Sequence, residues 1–287
     1  MKRILLCTDG SIFAQNSYQH GAWFATRLRA TVDVLYVTDA RSQATAASAN
    51  LSGSIGVNAS DVLLKKLVAL EHEKAKLNHQ RAKLVLQNAE EVLASHGAEA
   101  VNLMHKNGFL VDILPGLERE TDLIILGKRG EAAEFASGHL GANLERIVRA
   151  SSKPCLVTSR KFKPIEQVVL AYDGSPSSQK MLQFVLDVPA FRDLTFHIIT
   201  VAKSAADATA TARLDEAKQR AAAGELEPVY SLLEGNAETA IARYVEQSNA
   251  DLLMMGAYGH SRIRHLVIGS TTIQLLRSSK IPVLIYR

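Results

Sequence analysis

The 287-residue chain predicts two tandem, doubly wound α/β domains, each built on a five-stranded, mainly parallel sheet flanked by helices. Three observations carry this reading. A set of segments occurs twice in the same order. Short apolar runs alternate with amphipathic stretches. A glycine-rich loop follows the fourth apolar run of each copy.

The repetition comes first, because it divides the chain. Residues 4–11, ILLCTDGS, read as a buried strand running into a turn, and they recur as VVLAYDGS at 168–175. DLIILG at 122–127 recurs as DLLMMG at 251–256, and SSKPCLV at 151–157 recurs as SSKIPVL at 278–284. Each half therefore holds one domain, 1–160 and 164–287, with Lys161 to Pro164 as the linker.

Within the second copy, strands are predicted near 167–172, 195–201, 227–233, 251–256 and 282–286, and helices over about 176–187, 206–222, 236–248 and 270–279. The strand runs are mostly apolar rather than alternating, as expected for strands covered by helices on both faces. Strand–helix alternation of this kind gives parallel pairing through right-handed crossovers. The fifth strands, 154–158 and 282–286, are apolar and would each close a sheet edge. An exposed apolar edge invites aggregation, so the two are expected to pair with each other in a pseudo-twofold arrangement within one chain.

The first copy is longer. Asp9 and Asp173 lie 164 residues apart but Gly127 and Gly256 only 129, so about 35 additional residues fall between Asp39 and Glu99. Residues 44–60, rich in Ala, Ser, Gly and Asn, read as a loop. Asp61 is then placed to cap a long helix running to about His96, with Leu63, Leu67, Leu70, Leu77 and Leu84 close to one face. An amphipathic helix lying on its own domain is favoured over a partner-binding coiled coil.

Composition narrows the function classes. The 33 Lys and Arg stand against 29 Asp and Glu with no basic stripe, which argues against nucleic acid as a partner. No apolar run approaches a membrane span or a secretory core. The two cysteines, Cys7 and Cys155, form no disulfide framework and fall on strands one and five with strand four between them. The chain is expected to be cytoplasmic. None of the nine histidines sits in a metal-binding motif, so no metal site and no catalytic residue is assigned.

After the fourth strand of the second copy comes GAYGHSRIRHLVIGSTT, from Gly256 to Thr272. Glycines let backbone amides close around an anion. Gly269-Ser270-Thr271 opens the last helix, whose free N–H groups and dipole favour a phosphate. The hydroxyls of Ser270 and Thr271 add donors, and His260, Arg262, Arg264 and His265 add positive charge. Each feature has a plainer alternative: Gly256 as a strand end, Ser270 as a helix cap, and the basic residues as a solvated loop.

The loop fits G-x2-G-x9-G-[S/T] and so resembles the nucleotide motif of the ATP-binding branch of the universal stress protein family. The resemblance runs over both halves and implies a tandem member of that family. It implies that Asp173 and the backbone at Val201 hold the adenine end of a nucleotide. It implies that Gly256, Gly259, Gly269, Ser270 and Thr271 hold the ribose and phosphates, with Met255 at the end of strand four also counted among the nucleotide-binding residues. ATP with Mg²⁺ is the implied ligand. The first copy departs from the pattern. Its loop, GKRGEAAEFASGHLGAN, places ten residues rather than nine between Gly130 and Gly141 and has Ala142 and Asn143 in place of the hydroxyls. Asp9, Val37, Gly127, Gly130 and Gly141 form at most a weak second site, to which Lys128 and Arg129 could contribute.

No Walker A sequence and no nucleophile–base motif is present. A nucleotide-binding regulatory protein is therefore favoured, with a slow ATP hydrolase and a ligand-free interaction scaffold as the alternatives. A regulatory protein partner and a homodimer are both compatible with this reading.

Overall fold

The computed structural model describes residues 1–39, 57–128, 142–204, 206–224, 226–257 and 269–287, with 57–64 and 142–143 described by their backbone. In the first half, strand β1 (Arg3–Thr8) leads to helix α1 (Ala14–Leu28), β2 (Thr31–Asp39), α2 (Val57–Ser95) and β3 (Val101–Gly108). Helix α3 (Leu110–Glu118), β4 (Leu123–Gly127), α4 (Ala142–Ala150) and β5 (Cys155–Thr158) complete it. The second half repeats the order with β6 (Gln167–Ala171), α5 (Pro176–Asp187), β7 (Thr195–Ala202), α6 (Ala208–Ala223) and β8 (Val229–Glu234). It ends with α7 (Ala237–Gln247), β9 (Leu252–Gly256), α8 (Ser270–Ser278) and β10 (Val283–Tyr286). The predicted strands and helices of the second copy thus appear within about two residues of their expected bounds, the margin by which helix and strand ends ordinarily vary.

All ten strands lie in one sheet, in the order β3-β2-β1-β4-β5-β10-β9-β6-β7-β8. Pairing is parallel within each half, and the halves join through antiparallel β5 and β10, with Val157, Leu156 and Cys155 opposite Val283, Leu284 and Ile285. The two apolar edges foreseen in the sequence cover each other. Leu156 and Leu284 are fully buried there. Around this seam Arg27 pairs with Asp193 and donates to the Ala190 carbonyl, while Arg287 donates to the Arg149 carbonyl.

The repeated Asp ahead of the fourth strand has the same task in both halves. Asp122 accepts hydrogen bonds from the amides of Lys2 and Arg3 at 2.6 and 3.1 Å. Asp251 accepts from Glu166 and Gln167 at 3.0 and 2.9 Å and from Lys163 Nζ at 2.6 Å. Burial opposes the charged form of each carboxylate, but these donors outweigh it and hold both below the usual carboxylate range. Each Asp thereby pins the start of the first strand of its own half beside the fourth.

Cys7 and Cys155 are separated by β4, which pairs with both of their strands. Burial, reinforced for Cys7 by the neighbouring Cys155 and for Cys155 by Glu118, pushes both thiols up to about 12, so they are inert core groups.

Two expectations about α2 need correction. The helix begins at Val57, so Asp61 lies inside it rather than at its cap; of the predicted loop 44–60, residues 57–60 are helical and the part before Val57 is outside the described residues. Three of the five stripe leucines do not lie on the domain. Leu70, Leu77 and Leu84 are 61, 64 and 67% exposed, whereas Ala82, Leu86, Ala89 and Leu93 are the residues buried against the core. Leu84 lies between Ala82 and Leu86 and still faces outward, so the helix is rotated to put the other stripe inward; for the earlier turns length adds to this. A helix of 39 residues runs for about 58 Å at 1.5 Å per residue. A six-residue strand such as β1 covers only about 20 Å. The last turns of α2 pack on the sheet, and the rest runs past it.

Candidate functional site

In the second half the strand order around β6 places β9 on one side and β7 on the other, so the chain reverses direction of travel between β6 and β9. Ligands of open α/β sheets sit at such switch points, beyond the carboxyl ends of the strands. Register aligns the candidates there. Ala171 lies opposite Ile199 and Met255, so Asp173, Val201 and Gly256 fall at nearly the same level along the sheet.

The turn after β6 is fixed locally. The Asp173 carboxylate accepts from the Ser175 amide at 3.0 Å. Gly174 adopts φ +72°, a left-handed conformation suited to glycine. Ser175 caps α5 by accepting from the Ser178 amide at 3.3 Å. Thr200, buried on β7, donates to the Tyr172 carbonyl at 2.9 Å and ties the turn to the neighbouring strand. Burial and the nearby Glu216 carboxylate push the Tyr172 phenol up to about 12, keeping it neutral.

Gly256 proves to be required by packing. A Cβ at this position would stand 2.8 Å from the Ser177 Cβ and 2.9 Å from the Ser178 amide nitrogen, both held in the first turn of α5. Gly269 differs. Its φ of −55° is open to any residue, and among the described residues an added Cβ would meet only Thr272 Oγ1, at an ordinary 3.7 Å. Gly269 occupies the cap position of α8 and offers no side-chain acceptor to the amides of the first turn. The other α-helices of this half are capped by Ser175, Asp207 and Asn236. Thr272 is buried and its hydroxyl donates to the Ala257 carbonyl at 3.3 Å, anchoring α8 to the end of β9. Ser270 is exposed and Thr271 half-buried at the same helix start. Gly259 and the basic residues 260–265 lie outside the described residues.

Sequence reasoning missed one neighbour. The stem of Arg213 on α6 lies over the Asp173–Gly174 turn, its Cγ, Cδ and Nε 2.9, 3.3 and 3.5 Å from where a Gly174 Cβ would stand. Nothing local flags it, because the turn and the arginine are almost forty residues apart.

The first half has the same frame with different contents. Asp9 accepts from the Ser11 amide at 3.0 Å, and Gly10 has φ +74°. Cys7 lies opposite Leu35 and Leu126, which sets Asp9, Val37 and Gly127 at one level. Over this turn stands Val85 of α2, an apolar side chain where the second half has Arg213. Lys128 donates to the Ser279 carbonyl at 2.7 Å, across the junction between the halves. Its ammonium thus ties the two halves together. Gly130 and Gly141 lie outside the described residues, and α4 opens at Ala142. Among the described residues, no three His, Cys, Asp or Glu side chains gather as a metal site, and no helix is long and apolar enough to cross a membrane.

These features define a tandem doubly wound α/β protein whose candidate site lies at the switch point of each half. The model of the universal stress protein family matches residues 1–159 and again 164–287. The chain belongs to the universal stress protein family, with two copies of its domain in tandem. Universal stress protein Slr1230 of Synechocystis sp. is 56% identical over 287 residues, all of both chains. A solved universal stress protein from Archaeoglobus fulgidus is 22% identical and superposes with a TM-score of 0.72 over 99% of this chain and 98% of its own. A structure from Pseudomonas aeruginosa is 15% identical, with a TM-score of 0.63 over 100% of this chain and 93% of its own. These two likenesses bear on the fold. The resemblance to the family, as a tandem member, is borne out.

Proposed function

We propose that the chain is a cytoplasmic, stress-response regulatory protein that binds ATP through its second domain, residues 164–287. The observation that supports this most directly is the start of α8. Three helices of that half satisfy their first amides with a side chain, and α8 carries a glycine instead. Free amides at a helix N-terminus, with the dipole behind them, suit a phosphate.

In this reading Ser270 and Thr271 donate to phosphate oxygens, and Gly259 and Gly269 let the backbone approach. Asp173 and the backbone of Val201 face the adenosine end, with Met255 and Gly256 forming the floor between. Mg²⁺ would balance the triphosphate charge. The residues present fit such a ligand, since among the described residues a Cβ at Gly269 would meet nothing closer than Thr272 Oγ1 at 3.7 Å. A regulatory role is favoured because no nucleophile–base pair is assigned at the site.

The test is calorimetric titration of the full chain with ATP and Mg²⁺, with turnover followed in the same samples. Gly269→Val should weaken binding at least tenfold while leaving the melting temperature within a degree or two. Unchanged affinity in Gly269→Val and in a Ser270→Ala/Thr271→Val double variant would overturn the assignment. Steady phosphate release would favour the hydrolase reading.

A further inference from the structure

The outer face of α2 has features that its packing on the domain does not use. Leu63, Leu70, Leu77 and Leu84 recur every seven residues, and Leu67 stands at the other seam position of that period. Leu70, Leu77 and Leu84 are each more than 60% exposed. The residues that hold the helix to its domain, Ala82, Leu86, Ala89 and Leu93, follow spacings of four, three and four, and their stripe is centred roughly 150° around the axis from that of Leu70, Leu77 and Leu84. The helix therefore has two separate apolar stripes, one spent on the core and one facing outward. The edge strands β5 and β10 are already paired with each other inside the chain, so assembly requires another surface.

We propose that this leucine stripe pairs with the same stripe of a second copy of the chain, as an antiparallel two-helix coiled coil. A heptad stripe is complementary to a helix of the same period, and a twofold axis lets one stripe serve both sides of the contact. The charges select the direction. Between the leucines the seam carries Lys74 and Arg81. A parallel pair would set Lys74 against Lys74 and Arg81 against Arg81. An antiparallel pair centred between residues 75 and 76 sets Lys74 beside the second copy's Leu77, Arg81 beside its Leu70 and Leu67 beside its Leu84. The aliphatic stems then cover leucine, and the Arg81 guanidinium emerges near the second copy's Glu71 and Glu73. Each exposed leucine offers on the order of 100 Å² of apolar surface. Six of them, with the paired Leu67 residues and the lysine and arginine stems, reach about 1,000 Å², the size a specific interface needs.

Sedimentation of the full chain tests the proposal. The wild type should show twice the mass of one chain at tens of micromolar. A Leu70→Asp/Leu77→Asp variant should show half that mass, with an unchanged circular dichroism spectrum and melting temperature. A monomeric wild type, or a variant that stays dimeric, would overturn the proposal, and the former result would leave the stripe to a different protein. Direction is read by cross-linking. A mixture of Lys74→Cys and Leu77→Cys chains should form a mixed disulfide dimer, while Lys74→Cys alone should not. Efficient self-linking of Lys74→Cys would refute the antiparallel register.

Discussion

Acid should weaken this protein through one histidine. His20 on α1 is fully buried, its Nδ1 lies 2.6 Å from the Asn16 carbonyl, and Phe162 of the linker meets its ring edge-on at 5.0 Å between centroids. Nδ1–H therefore donates to that carbonyl, and Nε2, the atom a second proton would occupy, is buried without a partner. Burial, only partly offset by the carbonyl, lowers the pKa from 6.5 to about 4. Between those values the unfolded chain holds a proton on His20 that the folded chain does not, so stability rises with pH across that window and falls as pH drops through it. Each unit is worth about 1.4 kcal/mol. Taking the chain from pH 7 to pH 5 should thus remove about 2 kcal/mol, or roughly 4–8 °C of melting temperature. His105 and His197 are shifted the same way by burial and add to the slope. The readout is therefore the difference between wild type and His20→Phe, which keeps a ring against Phe162. Asp122 and Asp251 do not interfere, since both are held below the ordinary carboxylate range. Urea unfolding at pH 7, 6 and 5 measures the slopes. Identical slopes in the two proteins, or a His20 proton resonance titrating near pH 6.5, would refute the reasoning.

Three further outcomes follow from the packing. Gly256→Ala should lose about 1–3 kcal/mol by forcing a Cβ into the first turn of α5; a loss below 0.5 kcal/mol by urea unfolding would show that the contact yields. Leu284→Ala should cost about 2–5 kcal/mol, because its side chain is fully buried where the two halves join. Its midpoint shift should appear both in the fluorescence of Trp23 and in far-ultraviolet circular dichroism, and a shift confined to one probe would argue against a shared seam. ATP titration should saturate at about one site per chain, since the first half has Val85 over its turn and Lys128 engaged with Ser279. Two equal sites would show that the first loop binds as well as the second.

Much of the fold was legible in the sequence because its signals are local. Apolar runs of strand length, the Asp-Gly-Ser turns and the duplicated DLIILG and DLLMMG segments are written within a few residues of each other. An Asx turn followed by a left-handed glycine needs only its own three residues, and it forms alike after β1 and β6. The pairing of β5 with β10 was also foreseeable, since two apolar edges in one chain have each other as the nearest cover.

The candidate site was legible only in part. Its loop and its hydroxyls lie along the chain, whereas Arg213 and Val85 reach equivalent turns from helices distant in sequence and make the two halves chemically unlike. The same holds for Gly256, whose lack of a side chain is demanded by α5 rather than by its own strand. The sequence by itself determined the two repeats, their alternation of strands and helices and the glycine spacing, because periodicity and turn chemistry act between near neighbours. The tertiary structure alone decided which of the apolar stripes on α2 meets the core. That choice depends on how the helix is rotated against α1 and the sheet, since Leu84 is exposed between the buried Ala82 and Leu86, a rotation that no local pattern records.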